Sequence, residues 1–183
     1  MDNYKCCTQC KWFDTELPGE VPVRQVYGIF FDPLGRILLQ NDNGRYNLPG
    51  GKPEGCESWE ETLEREAQEE SMINSQRMLF LGYVLVSESC GSREDSYAQV
   101  RYAVKIQRIG PLQPDPSTGR VYDRILVPAV LAVELLDWGE HGHAQIASAV
   151  AMAKTNFSTH LSWSASSSTL QEVPVEGFDP KWT

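Results

Sequence analysis

Apolar positions along the chain alternate or cluster in short runs, with one long interval of helical spacing among them. Val21 to Phe31 alternates and then turns wholly apolar over Val26, Tyr27, Gly28, Ile29, Phe30 and Phe31, predicting a central strand. Asp32-Pro33-Leu34-Gly35 is a turn, and Arg36 to Gln40 returns as the hairpin partner. Asn41 to Arg45 reads as a polar loop, and Tyr46-Asn47-Leu48 as a short strand feeding Gly50-Gly51. A helix follows from about Glu57 or Ser58, with Ser58 as N-cap and Glu61 placed to close a capping box. Met78 to Glu88 predicts a further strand, 89–96 a polar loop, and Ser96 to Ile109 an alternating strand. The stretch 110–123 carries Pro111, Pro114, Pro116 and Gly119, a long loop of the kind that is often functional. Arg124 to Val127 is a short strand. Pro128 opens a helix over Ala129 to Leu136, Trp138-Gly139 breaks it, and a second helix runs from about His143 to Lys154. Strands interleaved with helices in this order predict an α/β fold, a mixed sheet covered on both faces. The expected organisation is a leader over 1–20, a domain over 21–154 and a tail over 155–183, with no internal repeat.

The helical interval holds an unusual charge pattern. Glu57, Glu60, Glu61, Glu64, Glu66, Glu69 and Glu70 share it with one internal cation, Arg65. The early glutamates suit the positive end of the helix dipole, whereas Glu66, Glu69 and Glu70 fall where that dipole repels them. At about 100° per residue those three occupy roughly a third of the circumference. Glu66 and Glu70 form a like-charge i,i+4 pair, which destabilises a helix. A hard divalent cation with oxygen ligands reverses the sign of that interaction. The competing reading is a solvated acidic face. Such a face needs neither the preceding Leu48-Pro49-Gly50-Gly51 turn nor an arginine set beside the cluster.

Gly51, five residues, Glu57, seven residues, Arg65-Glu66, an apolar residue, any residue and Glu69-Glu70 together resemble the Nudix box. Met72 stands where that family carries glycine, so Asn74, a tolerant left-handed residue, is expected to end the helix two positions on. The resemblance covers about 21–154 and implies a Nudix-like α/β/α sandwich. It also implies hydrolysis of a nucleoside diphosphate linked to another group, such as a nucleotide sugar or ADP-ribose, with Mg²⁺ or Mn²⁺. Glu66, Glu69 and Glu70 are the expected metal ligands, joined by a backbone carbonyl of Gly50 or Gly51. One of the glutamates or a metal-bound hydroxide serves as base, and the choice stays open because coupled carboxylates titrate as a set. Arg65 is expected to pair with Glu57 or a box carboxylate and hold the helix against the turn. A later-loop acid is sought among Asp115, Asp123 and Glu88. Gln40, Arg45, Tyr46 and Asp123 are the candidate substrate contacts, with Tyr27 or Tyr46 able to stack on a base. His141, His143 and His160 are expected at exposed or helix-end positions.

The net charge of −9 argues against a nucleic-acid polymer or an anionic membrane as partner. It leaves small nucleotides open, since their phosphates can arrive with a cation. No apolar run approaches the roughly 18 residues of a membrane span, and Met1 to Lys5 lacks a signal-peptide core. Five cysteines without an evident framework read as reduced thiols in a cytoplasmic protein. Cys7-x2-Cys10 is only half of a zinc pattern. Trp12 and Phe13 are expected to dock the leader on the body or on a second copy in a homodimer. The alternatives to an enzyme are a non-catalytic nucleotide-sensing module on the same fold, and an interaction protein anchored by Trp12, Trp163 and Trp182.

Overall fold

The computed structural model describes residues 6–157 and 170–181. In chain order its strands are β1 (Cys7–Phe13), β2 (Val23–Phe31), β3 (Ile37–Asp42), β4 (Arg45–Asn47), β5 (Gly50–Gly51), β6 (Ile73–Cys90), β7 (Arg93–Ile109), β8 (Asp123–Val127) and β9 (Gln171–Glu172). Its helices are α1 (Trp59–Ser71), α2 (Ala129–Leu136) and α3 (Gly139–Asn156). Among the described residues the strands form one sheet in the order β1-β6-β7-β2-β3-β8-β9, with β4 on β3 and β5 on β2. β2 runs parallel to β7 and the remaining pairings are antiparallel, which makes the sheet mixed.

The apolar run in β2 follows from cover on both faces. Phe30 and Leu38 point to the side of α1, joining Leu63, Ala67, Ile73 and Val104. Their neighbours Ile29, Phe31, Ile37 and Leu39 point the other way, onto Ala132, Ile146, Ala149 and Phe157 of the α2–α3 layer. The period of two in the strands thus sorts adjacent residues into two cores, one per helical layer. β2 and β3 pair only at Phe31–Ile37. Beyond that point they part, and β5 enters the gap to pair with Val26 and Tyr27. That split is where the glycine turn meets α1.

Three expectations need correction, and the leader holds an element that the sequence reading does not name. The polar stretch 89–96 is not a loop: β6 and β7 continue as one ribbon to a turn at Gly91-Ser92. Polar cross-strand pairs such as Ser96–Ser87 and Tyr97–Glu88 sustain it, because a ribbon's backbone bonds need no apolar face. The leader contains an edge strand, β1, laid antiparallel on β6. Cys6 and Cys90 form a disulfide, against the expectation of reduced thiols throughout, while Cys7, Cys10 and Cys56 are free and exposed. The register Cys7–Ser89 brings the partners together across a separation of 84 residues, which sequence spacing does not reveal. Finally, α1 ends at Met72 and not at Asn74, which already lies in β6.

Trp12 and Phe13 pack within their own chain, Phe13 stacking on Tyr83 at 5.1 Å. The aromatic argument for a second copy is therefore satisfied internally. Of the tail, β9 pairs with β8, Val173 is buried, and Phe178 bonds Ile109. His160, Leu161, Trp163 and Trp182 lie outside the described residues. Among the described residues no helix is long and apolar enough to cross a membrane.

Candidate active site

Ser58 caps α1, accepting from the Glu61 amide while Glu61 accepts from the Ser58 amide, a closed capping box. The cap fixes where the helix begins and therefore which residues face the split between β2 and β3. Glu57, just before the cap, receives both arms of Arg65: Nε at 2.7 Å and Nη2 at 3.1 Å. Arg65 Nη2 also donates to the Lys52 carbonyl at 3.1 Å, and Nη1 to Glu66 at 3.0 Å and Glu69 at 3.2 Å. One guanidinium thus ties the turn, the residue before the helix and two helix carboxylates together. Its bond holds the Glu57 carboxyl down to about 2, with the Glu54 amide assisting. The same contacts raise Arg65 itself and keep it charged.

Gly51 has a steric reason to be glycine. A Cβ built there would lie 2.2 Å from a Glu66 carboxylate oxygen, so backbone and carboxylate approach as no other residue allows. Burial pushes the Glu66 carboxyl up, against the pull of Arg65. Glu70 is deeper, and burial lifts it to about 7, only partly offset by bonds from Gln40 Nε2 at 2.8 Å and the Gly50 amide at 3.3 Å. Glu66 and Asp115 add repulsion at Glu70. Two carboxyls are therefore held where negative charge is disfavoured, the condition that a bound cation relieves. The donor set of carboxylates with a glycine backbone beside them suits a hard divalent ion. As the side chains stand, Arg65 lies between Glu66 and Glu69, and no three acidic, histidine or cysteine side chains among the described residues converge as an ion cage.

At the end of α1, Met72 adopts φ 54 and ψ 36, the left-handed conformation in which glycine is normally placed. Its amide reaches Gln68 at 3.1 Å and its carbonyl accepts from Gly110 at 2.7 Å. Buried Arg124, opposite Gln40 in the β3–β8 register, donates to the Ser71 and Gly110 carbonyls, both at 2.9 Å. Gln40 Nε2 also reaches Ser71 Oγ at 3.0 Å. Two facing strand residues thus grip the last turn of the acidic helix.

Beside Glu70 opens a cleft of about 390 Å³, walled by Gln40, Arg45, Tyr46, Asn47, Tyr122 and Trp138, with Asp42 on its rim. Gln40, Arg45 and Tyr46 were expected at such a surface. Tyr122, Trp138 and Asn47 were not; in the sequence Trp138 signals only a helix break. Tyr27 is not a wall residue; its ring lies 4.7 Å from the buried Arg101 guanidinium. Asp123 opens β8 opposite Asn41 and is exposed, outside the wall of the cleft. Glu88 lies near the far end of β6 from α1, bonded to Tyr97. Asp115 is the later-loop acid brought near, buried, with its carboxylate accepting from the Ser117 and Thr118 amides. His141 bonds Gln145 and is partly covered, while His143 is exposed.

The NUDIX domain family model matches residues 21–146, and the chain belongs to the Nudix family. A proposed NUDIX hydrolase from Listeria monocytogenes aligns with a TM-score of 0.54 at 17% identity, over 73% of this chain and 95% of that one. The Escherichia coli ORF135 protein aligns at 0.51 and 19% identity, over 77% and 98%. A Bacillus subtilis pyrophosphohydrolase is 24% identical with a TM-score of 0.47, over 56% of this chain and only 62% of its own length. Among curated proteins no sequence matches. At these identities the structural likenesses bear on the fold.

Proposed function

We propose that this protein is a divalent-metal-dependent pyrophosphohydrolase that cleaves the diphosphate of a nucleoside diphosphate linked to another group. The observation that carries the reading is the Arg65 clasp. It holds Glu57, Glu66 and Glu69 around one guanidinium, with Glu66 pressed on Gly51 and Glu70 half-buried nearby. Bringing a nucleophile to an anionic diphosphate requires neutralised charge and a positioned water. Glu66, Glu69 and Glu70, with a carbonyl of Gly50 or Gly51, are the groups that would hold Mg²⁺ or Mn²⁺. When bound, the ion neutralises phosphate charge and lowers the pKa of its water. Arg65 fixes the helix against the turn, so the carboxylates are aimed before substrate arrives. Gln40 and the Gly50 amide orient Glu70, and the base is one of the three glutamates or a metal-bound hydroxide.

The cleft beside Glu70 is the place for the nucleotide-type substrate. Incubation with Mg²⁺ and a panel of ADP-ribose, dinucleoside polyphosphates, NADH, nucleotide sugars and nucleoside triphosphates tests the reading. At least one should yield phosphate-bearing products that disappear with EDTA. No product from any would leave a nucleotide-sensing module in its place. We place the protein in the cytoplasm on its exposed thiols Cys7, Cys10 and Cys56, with the Cys6–Cys90 disulfide as the opposing feature.

A further inference from the structure

Trp138 is the residue around which the α2–α3 junction is built. Asp137 before it takes φ 49 and ψ 39, and Gly139 after it takes φ 64, so left-handed residues flank it on both sides. For aspartate that conformation carries a cost, which the surrounding structure must offset. Trp138 itself sits at φ −89 and ψ 10, the sparsely populated bridge region. One turn into α3, Gly142 leaves a space: a Cβ there would stand 2.7 Å from the Cβ of Trp138. Beneath the indole lies Arg101, buried, with its guanidinium 5.6 Å from the Trp138 ring and 4.7 Å from Tyr27. Arg101 Nε is fixed by Gln145 at 2.7 Å, and Gln145 is anchored in turn by the His141 carbonyl at 3.0 Å. A tryptophan needed only to fill the core requires neither the flanking turns nor the missing Cβ. This one packs one part of its side chain against the α2–α3 core and, only partly buried, also forms a wall of the cleft beside Glu70.

The chemistry of that cleft selects a ligand. Tyr46, Tyr122 and Trp138 provide three aromatic rings. The ionic groups are one cation, Arg45, and two carboxyls, Asp42 and Glu70, a poor balance for an unaccompanied phosphate. Asn47 accepts from the Leu48 amide through Oδ1, so its NH₂ is the group it can present. Gln40 commits its NH₂ to Glu70 and Ser71, so its carbonyl is what it can offer. Aromatic faces with a mixed donor and acceptor edge match a planar heterocycle.

We infer that this cleft is a nucleobase subsite and that Trp138, positioned by Asp137, Gly139, Gly142 and Arg101, is its stacking platform. The inference rests on the hydrolase reading for the adjacent phosphate site but is tested without turnover. The full metal-free chain is titrated by calorimetry with adenosine, guanosine, cytidine and uridine monophosphates, and with ribose 5-phosphate as the base-free control. At least one monophosphate should bind saturably, with ribose 5-phosphate binding at least tenfold more weakly. Trp138→Ala should weaken that binding by about 5- to 150-fold, the range of one base–aromatic stack, and Trp138→Phe should restore part of it. Gly142→Ala, a change that favours a helix, should weaken binding by displacing the indole while α3 remains folded by circular dichroism. Equal binding of ribose 5-phosphate, or unchanged affinity in both Trp138→Ala and Gly142→Ala, overturns the subsite. Metal-dependent hydrolysis with an affinity indifferent to Trp138 would sink this inference alone. Base binding without hydrolysis of any substrate would sink the hydrolase reading alone.

Discussion

Gln40 Nε2 donates to Glu70 Oε2 at 2.8 Å, across the join between a strand of the sheet and the acidic helix. The same nitrogen reaches Ser71 Oγ, so one amide sets both the direction of a carboxylate and the position of the helix end that carries it. Gln40 was expected to touch substrate; its first role in the structure is to aim Glu70. Outer-sphere hydrogen bonds of this kind typically contribute about 10- to 100-fold in metal affinity or activity. Gln40→Leu, close in volume but without the amide, should lower kcat by that order and shift the acid limb of the pH–rate profile upward. A Gln40→Leu variant that leaves kcat and the profile unchanged would show the bond to be incidental.

The metal-free protein should lose stability as pH rises through neutrality. Glu70 titrates at about 7 in the fold, above the ordinary carboxylate value of about 4.3 in an unfolded chain. Between those values the folded state binds the extra proton, so stability falls as pH increases across the window. Glu66, also raised, adds the same sign. Glu57, lowered to about 2, acts oppositely but only below its unfolded value, where stability is lost as pH falls. In EDTA the melting temperature should therefore peak at about pH 4–5 and decline to about pH 7, levelling beyond it. The Glu70 contribution to that decline is about 3 kcal/mol, roughly 6–12 °C for a chain of this size. Glu70→Gln should flatten the decline and cut turnover by orders of magnitude. A melting temperature that rises steadily from pH 5 to pH 8 in EDTA would contradict the assignment.

Met72 holds a left-handed backbone without being glycine. The conformation costs a residue with a Cβ about 1–2 kcal/mol, against which stands its side-chain contact with Gln68 at 3.8 Å. Met72→Gly should therefore raise the melting temperature by a few degrees and leave kcat within about twofold, since the carboxylates are aimed from elsewhere. Thermal denaturation and steady-state kinetics of the pair decide it. A large loss of activity would place the helix end in the pocket.

How much of this was legible beforehand depends on the distance over which each signal acts. The capping box at Ser58 and Glu61, the strand at Ile29 to Phe31 and the helix opened by Pro128 are local, set by neighbours within a turn or a pleat. So was the pairing of Arg65 with the box carboxylates, because helix geometry fixes i,i+4 relations. The helix end was misplaced because tertiary bonds, Gly110 to the Met72 carbonyl and Arg124 to the Ser71 carbonyl, impose what local propensity would refuse. Tyr122 reaches the cleft at the end of the long 110–122 connection, and Trp138 from the two-residue join of α2 and α3, whose direction no periodicity reports. The Cys6–Cys90 pairing depended on β1 being a strand at all, and its mixed polarity had concealed that.

The disulfide bears on compartment. Alkylation with iodoacetamide, read by intact mass, should label Cys7, Cys10 and Cys56 in the oxidised protein and add Cys6 and Cys90 only after reduction. Performed on protein trapped rapidly from cells, labelling of all five without reductant supports cytoplasmic residence. Persistent protection of Cys6 and Cys90 would move the protein to an oxidising compartment.

The account turns on a divalent ion among Glu66, Glu69 and Glu70, and Mn²⁺ binding followed by electron paramagnetic resonance reads it most directly, without any need to know the substrate. Titrating Mn²⁺ into the metal-free chain should deplete the free-ion signal stoichiometrically, with Mg²⁺ competing. Affinity should fall at least tenfold in Glu66→Gln and Glu70→Gln, both still folded. A free-ion signal identical with and without protein, or equal depletion by wild type and both variants, would contradict the claim.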